Sequence, residues 1–470
     1  MEAVSRTCES LHSLEVSIFN HILSGRKNMR TAALHNLGCK VNSYETEAMQ
    51  QLLEEAGYEI VPFHEKADVY IINTCSVTNI ADRKSRQMLH RAKKQNPDAV
   101  VVAAGCYVQA ASEELKADLA VDVIIGNNKK QDLVPILEEY FQDRTDCDHV
   151  IEIGQTQEYE RLSIHKIADH TRAFLKVQDG CNQFCSYCII PYTRGRVRSR
   201  RPEEVVAEVK ELAAAGYQEV VLTGIHLSSY GVDFDEEHKE TLLSLIRQVH
   251  EVAGIKRIRL GSLEPRIITE EFAKALADMP KFCPHFHLSL QSGCDETLKR
   301  MNRHYTTEEY AEGCAILRRF FDNPAITTDV IVGFPGETEE EFAVTKAFLE
   351  QTGFYEMHIF KYSRRAGTRA DRMPDQIPEQ AKTARSEVLL KLEKQMSKAY
   401  RESFLGKKKA VLLEEKTEIN GTEYMIGHTM EYVKAVVPYA ENLKNKMVEG
   451  VLVRAINDEV LMLDESWKVV

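Results

Sequence analysis

The chain has no run of about 18 apolar residues, so nothing in it reads as a membrane-spanning helix. Its first stretch, MEAVSRTCESLHSLEVSIFNHILSGRKN, breaks up its apolar residues with acids and lacks the basic start and continuous apolar core of a signal peptide. A cytoplasmic protein is therefore expected, with no membrane partner. Low-complexity tracts and short-period repeats are missing too, which excludes solenoids and disordered linkers as the main architecture. There is no excess of positive charge: 60 Lys and Arg stand against 72 Asp and Glu, a formal net charge of −12. That balance excludes indiscriminate nucleic-acid binding but leaves room for local basic patches. Disulfide scaffolds are excluded as well, because 11 cysteines, an odd number, are scattered through 470 residues. In a chain of this size, metal binding or catalysis accounts for them better. A composition of 43% hydrophobic and 28% charged residues is that of a globular protein, and the length suggests two to four domains at about 100–200 residues each.

One more absence is local. Residues 181–188 read CNQFCSYC, placing Cys181, Cys185 and Cys188 in a C-x3-C-x2-C spacing after the strand-like run RAFLKVQDG. A structural zinc site closes with four ligands, usually in paired spacings. Here no fourth Cys or His follows at such a spacing. Three thiolates leave one metal position open, and an open position is where a metal does chemistry.

Three blocks follow one another along the chain. From 29 to 150, short apolar runs alternate with amphipathic helical stretches (TAALHNLGC, SYETEAMQQLLEEAGY, DVYIINTC, IADRKSRQMLHRAKKQ, AVVVAAGC, VDVIIG), the pattern of an open, mostly parallel α/β sheet. Three of these runs end in Cys39, Cys75 and Cys106. Each alone reads better as a buried thiol, since free Cys is among the most buried residue types. Since ligand sites in such sheets lie at the carboxyl ends of the strands, the three together also fit a convergent ligand set.

The second block, 165 to 400, repeats the theme in six candidate strands: FLKVQ, EVVLTGI, KRIRLGSLE, HFHLSL, ITTDVIVGF and EMHIFKYS. Six βα units are fewer than the eight of a closed barrel, so a partial (βα)6 barrel with a lateral opening is expected. CNQFCSYC, TGIHLSSYG, LQSGCD and GFPGET all fall at its carboxyl edge, where barrel active sites lie. The third block, 403 to 470, changes to five short β-like runs that suit a small barrel of the oligonucleotide-binding kind, though small barrels also serve as structural caps. RGRVRSRR, from Arg194 to Arg201, packs five arginines directly after the three-cysteine loop. We expect it to grip phosphates there, the alternative being a solvated face.

C-x3-C-x2-C in a βα barrel resembles the radical S-adenosylmethionine (SAM) enzymes. LGCKVNSYETE, NTCSVTNIADRKSRQ, AAGCYVQ, QDGCNQFCSYCIIPYTRGRVRSR and TGIHLSSYG are similar to segments of the methylthiotransferases of that superfamily, most of all the MtaB type. The resemblance runs from Met29 to the C-terminus; the segment before Met29 matches nothing in the family, so Met29 is expected to be the functional start. It implies an N-terminal methylthiotransferase domain, a radical SAM barrel and a C-terminal RNA-binding TRAM domain. It also implies two 4Fe-4S clusters. Cys181, Cys185 and Cys188 would hold the one whose open iron is chelated by SAM, and Cys39, Cys75 and Cys106 the one that receives the sulfur. Gly224, Gln291 and Gly333 lie in motifs expected to line the SAM pocket. The implied reaction adds a methylthio group to C2 of N6-threonylcarbamoyladenosine beside the anticodon of transfer RNA, with electrons from a flavodoxin or ferredoxin type of donor. The alternatives are isopentenyladenosine in tRNA, an aspartate of a ribosomal protein, or a non-catalytic iron-sulfur RNA-binding or sensor protein.

Overall fold

A computed structural model describes residues 29–144, 147–164 and 171–470. The first 28 residues, and with them the expectation about Met29, lie outside the described ones. The first block folds into a six-stranded parallel sheet: β1 (Thr31–Asn36), β2 (Glu59–Ile60), β3 (Val69–Thr74), β4 (Val100–Gly105), β5 (Val123–Ile125) and β6 (Asp148–His149), in the order β2-β1-β3-β4-β5-β6. The central runs VYIINT and VVVAAG are buried at every position, as strands covered on both faces must be. Helix α1 (Lys40–Glu55) follows β1, and α2 (Asn79–Gln95) follows β3, its N-terminus capped by the Thr78 side chain, which accepts from the Ala81 N–H.

All six strands expected in the second block form: β7 (Arg172–Asp179), β9 (Glu219–Gly224), β10 (Arg257–Leu260), β11 (His285–His287), β12 (Ala325–Val332) and β13 (Glu356–Lys361). They run parallel in the order β7-β9-β10 and β11-β12-β13. Single parallel bridges, Ile258 to Phe282 and Leu263 to Leu288, join the two sets. A short antiparallel strand, β8 (Arg198–Ser199), covers the outer edge of β7. Among the described residues β13 does not pair with β7, so the barrel is open on that side. Tyr44 and Ala48 of α1 belong to the barrel's own hydrophobic core, which fixes the first sheet against the second.

The third block is antiparallel except for one pairing. Strands β14 (Lys408–Ile419), β15 (Thr422–His428), β16 (Lys434–Pro438), β17 (Met447–Ala455) and β18 (Leu461–Leu463) form a ladder that returns on itself, since β14 pairs with both β15 and β17. A sixth strand, β19 (Lys468–Val469), which the sequence did not suggest, adds to β17. This unit sits at the amino-terminal ends of the barrel strands. Arg257 donates to the carbonyls of His428 and Ala410 at 2.7 and 2.8 Å, and Arg172 to the Tyr432 hydroxyl at 2.8 Å. No helix among the described residues is long and apolar enough to cross a membrane.

Candidate active site at the cysteine edges

The C-x3-C-x2-C loop leaves β7 through Gly180, whose φ of +69° belongs to the left-handed region and whose added Cβ would lie 1.8 Å from the Arg196 carbonyl oxygen. The chain then folds back, with Cys181 N–H donating to the Gly195 carbonyl at 3.0 Å. Ser186 anchors the middle of the loop by two bonds of 2.9 Å, its N–H to the Met301 carbonyl and its hydroxyl to that of Arg300. The donors that reach the sulfurs are N–H groups: Gln183 N–H to Cys181 Sγ at 3.5 Å and Arg303 Nη1 to Cys185 Sγ at 3.2 Å.

Burial, and then the neighbouring Cys185 thiol, pushes the Cys188 thiol up to about 12; burial likewise lifts that of Cys181 to about 11. Without a metal these groups stay neutral at neutral pH. Three neighbouring thiols, no fourth closing ligand among the described residues and a guanidinium to offset thiolate charge are a donor set that suits an iron-sulfur cluster with one open iron.

Gln291 lines the cleft beside these three cysteines, together with His226, Glu264 and Arg303. A Cβ on Gly224 would meet the Gln178 side chain at 2.8 Å, and one on Gly333 would meet Lys382 at 2.3 Å. Both glycines are closed in by these neighbours, and Gly224 directly precedes Ile225 and His226 of the cleft lining. Glu264 is the residue that sequence reasoning missed. Burial raises its pKa, but hydrogen bonding to His226 and Arg266 outweighs that and holds the carboxyl at about 2, a fixed negative charge in the cleft. Its only sequence signal is its place at the end of the run KRIRLGSLE.

Cys39, Cys75 and Cys106 follow β1, β3 and β4, three adjacent parallel strands, so their strand ends lie side by side. Gly38 is required here: its φ is +110°, and an added Cβ would come within 2.9 Å of Cys75 Sγ. The Cys75 thiol is raised to about 12 by burial and then by the Cys106 and Cys39 thiols, which places the three within electrostatic reach of one another. Cys39 is the exposed member of the set, and Cys75 and Cys106 are buried. This set fits a thiolate-bound cluster by the same argument as the first.

Arg194 joins the two sets. It leaves the segment after the C-x3-C-x2-C loop, donates from Nε to Cys106 Sγ at 3.2 Å and reaches Asn42 Oδ1 at 2.7 Å. Glu45 of α1 takes its Nη1 at 2.8 Å, and Asp179 at the end of β7 takes it at 3.2 Å. Lys176 and Lys130 complete this buried ion network. The expected phosphate-gripping arginine run needs correction here. Arg194, Arg198 and Arg200 are 0%, 1% and 6% exposed, and Arg200 pairs with Glu208. Only Arg196 and Arg201 point outward, over the rings of Phe184 and Phe234.

Comparison with known proteins bears on this arrangement. Residues 175–349 match the model of the radical SAM superfamily, and residues 31–126 that of an uncharacterized protein family, UPF0004. The chain is 43% identical over 445 residues to the threonylcarbamoyladenosine tRNA methylthiotransferase MtaB of Bacillus subtilis, covering 92% of this chain and 98% of the other. It is 42% identical to the MtaB of Aquifex aeolicus (82% and 93% covered), and 37% identical to a tRNA-2-methylthio-N(6)-dimethylallyladenosine synthase of Thermoanaerobacter (81% of each). A solved structure of the radical SAM methyltransferase TsrM from Kitasatospora setae shares the fold with a TM-score of 0.55 at 18% identity, covering 73% of this chain and 77% of that one. The radical SAM match implies SAM and a 4Fe-4S cluster. With relatives of this identity along nearly its whole length, the chain belongs to the radical SAM methylthiotransferases.

Proposed function

We propose that the protein adds a methylthio group to C2 of N6-threonylcarbamoyladenosine at position 37 of transfer RNA, in the cytoplasm. The observation that carries this reading is the pair of three-cysteine sets, each short of a fourth ligand, set on two parallel-stranded units and tied through Arg194, in a chain 43% identical to a relative named for that reaction. In this reading 29–150 is the methylthiotransferase domain, 165–400 the radical SAM barrel and 403–470 a TRAM-type RNA-binding barrel, for which the closed ladder of β14 to β18 is the support. Cys181, Cys185 and Cys188 would hold one 4Fe-4S cluster, and Cys39, Cys75 and Cys106 a second.

The C2–H bond of adenine is strong and non-acidic, so side-chain acids and bases cannot activate it; when bound, SAM and the two clusters supply the radical and sulfur chemistry. The chain's own part is placement. Arg303 and Arg194 stand against the sulfurs and offset their charge as thiolates. Glu264 presents a fixed carboxylate, with Gln291 beside it, to the cationic groups of SAM. The open side between β13 and β7 admits a base turned out of a single-stranded anticodon loop, and a flavodoxin or ferredoxin type of protein would deliver the electrons. Mass spectrometry of tRNA nucleosides from a strain lacking the protein tests the reading. Loss of the methylthiolated threonylcarbamoyladenosine is expected; loss of the dimethylallyl counterpart, or an intact nucleoside profile, would overturn it.

A further inference from the structure

The open side of the partial barrel holds polar groups that neither cysteine set uses: His287 and Asp329 are half-buried, and Lys40 and His358 are exposed. Lys40, the residue after Cys39, carries its ammonium over the Phe174 ring, 6.0 Å from the centroid, and forms no hydrogen bond or ion pair with a described residue. On the strands beside the lateral opening, His287 (β11), Asp329 (β12) and His358 (β13) bring nitrogen and oxygen atoms within 4.8 Å of one another. His287 Nδ1 is 3.0 Å from Thr327 Oγ1, and its Nε2 is 3.4 Å from Asp329 Oδ2. The His287 and His358 rings stack at 5.8 Å. Register explains the grouping: His287 lies opposite Thr327 and His358 opposite Asp329, two residues further along β12, so all of them share one face.

Two imidazoles and a carboxylate are also a ligand set for a divalent cation. The surrounding charge decides against that reading. Arg172, Arg257 and Arg259 lie deeper in the barrel against Glu219 and Glu414, and the nearby Glu431 is already neutralised by Lys409. Asp329 lies within electrostatic reach of Lys40 and offsets its charge without an ion pair, so one positive charge is left over where a cation would add two more. A single carboxylate would balance it.

We propose that Lys40, His287 and His358 form the binding site for the free carboxylate of the threonylcarbamoyl group, with Asp329 accepting from its hydroxyl. This rests on the substrate reading above. Threonine joined to N6 through its nitrogen keeps its carboxylate, an anion that a dimethylallyl group lacks, so this site would set which modified adenosine is accepted.

The test uses the cluster-loaded enzyme and three anticodon stem-loop RNAs, carrying threonylcarbamoyladenosine, its neutral carboxamide analogue, or plain adenosine. The wild type is expected to bind the first about tenfold tighter than the carboxamide, as loss of a charge-assisted bond implies. In Lys40→Met, and independently in His358→Gln on a strand away from Cys39, that ratio should fall toward one. A ratio unchanged in both variants, including an equal weakening of all three RNAs, overturns the site and leaves the substrate reading standing. A wild type that does not distinguish the three RNAs overturns the substrate reading and this site with it. Metal analysis closes the remaining route: a stoichiometric divalent ion beyond the iron, lost in His358→Gln, would replace the carboxylate with a cation.

Discussion

The two cysteine sets reach the same donor chemistry by opposite routes. Cys181, Cys185 and Cys188 sit in one eight-residue loop, whose shape is set by Gly180 at φ +69°, Phe184 at φ +49° and the Ser186 anchors. Their geometry is local and needs only the end of β7 and the 300–303 turn beneath it. Cys39, Cys75 and Cys106 have no such local frame. Their spacing is the spacing of strands β1, β3 and β4, so they form a set only once the parallel sheet has assembled in register. A contiguous set can be read from spacing; a dispersed one is visible only through a topology that lines up the strand ends.

Breaking each set in turn gives the largest expected effects. Ala at Cys181, Cys185 or Cys188 should abolish SAM cleavage, measured as 5'-deoxyadenosine under strong reductant, and all product with it. Cys75→Ala should lose about half of the iron and all methylthiolated product yet keep cleaving SAM, because the barrel has a core of its own. Undiminished methylthiolation in Cys75→Ala would sink the two-cluster reading and return the N-terminal cysteines to ordinary free thiols.

Where the two sets meet, the expected effect is on stability. Arg194 is fully buried between Glu45 and Asp179, and removing one partner of a buried ion pair typically costs about 3–5 kcal/mol because the other charge is stranded. Arg194→Met should cost that much in urea unfolding, and Arg194→Lys should recover only part, since one ammonium cannot reach Glu45, Asp179, Asn42 and Cys106 together. A loss below about 1 kcal/mol would mean that the junction between the sheets is held elsewhere.

This junction also marks the limit of what the sequence alone could tell. The βα alternation, the six barrel strands and the strand-end cysteines were legible, because apolar periodicity and turn residues are local signals. The role of RGRVRSRR was not. Glu45 and Glu208 sit on separate helices, so an arginine run bound for a buried network and one bound for phosphate look alike in one dimension. Lys40 was hidden for the same reason: only the fold brings a residue of the first block over Phe174 of the barrel.

The far end of the barrel contrasts with the cysteine edge in holding an ion cluster with a single buried thiol, Cys283, instead of a set of three. Burial pushes the Glu219 carboxyl up, but Arg259, Arg172 and Arg257 outweigh it and hold the group at about 2, against its ordinary 4.5. The unfolded chain thus takes up this proton near pH 4.5 and the folded chain only near 2. The stabilisation is complete above 4.5 and is lost as the pH falls toward 2. At about 1.4 kcal/mol for each tenfold change in proton affinity, the difference is worth about 3 kcal/mol. The stability gap between wild type and Glu219→Gln should therefore narrow as the pH is lowered from 5 toward 2. Parallel stability curves would show that Glu219 does not couple the C-terminal unit to acid.

The smallest effect concerns the two arginines that remain outside. Arg196 and Arg201 lie over Phe184 and Phe234 with their guanidiniums 4.6 and 4.8 Å from the ring centroids, close to the C-x3-C-x2-C loop and its flank. If they meet RNA phosphates there, each releases about one condensed counterion on binding, so Ala at either position should flatten the log-log salt dependence of tRNA affinity by a little under one unit. The double variant should lose about twice that. Arg198→Ala and Arg200→Ala should leave the slope alone and lower stability instead, because their partners are Asp179 and Glu208 rather than solvent or phosphate. A slope that responds to the buried pair and not to the outer pair would reverse this assignment. A slope that responds to neither would make the outer pair a solvated face that supports the loop through its aromatic contacts, and would leave phosphate binding near the cysteine edge to other residues.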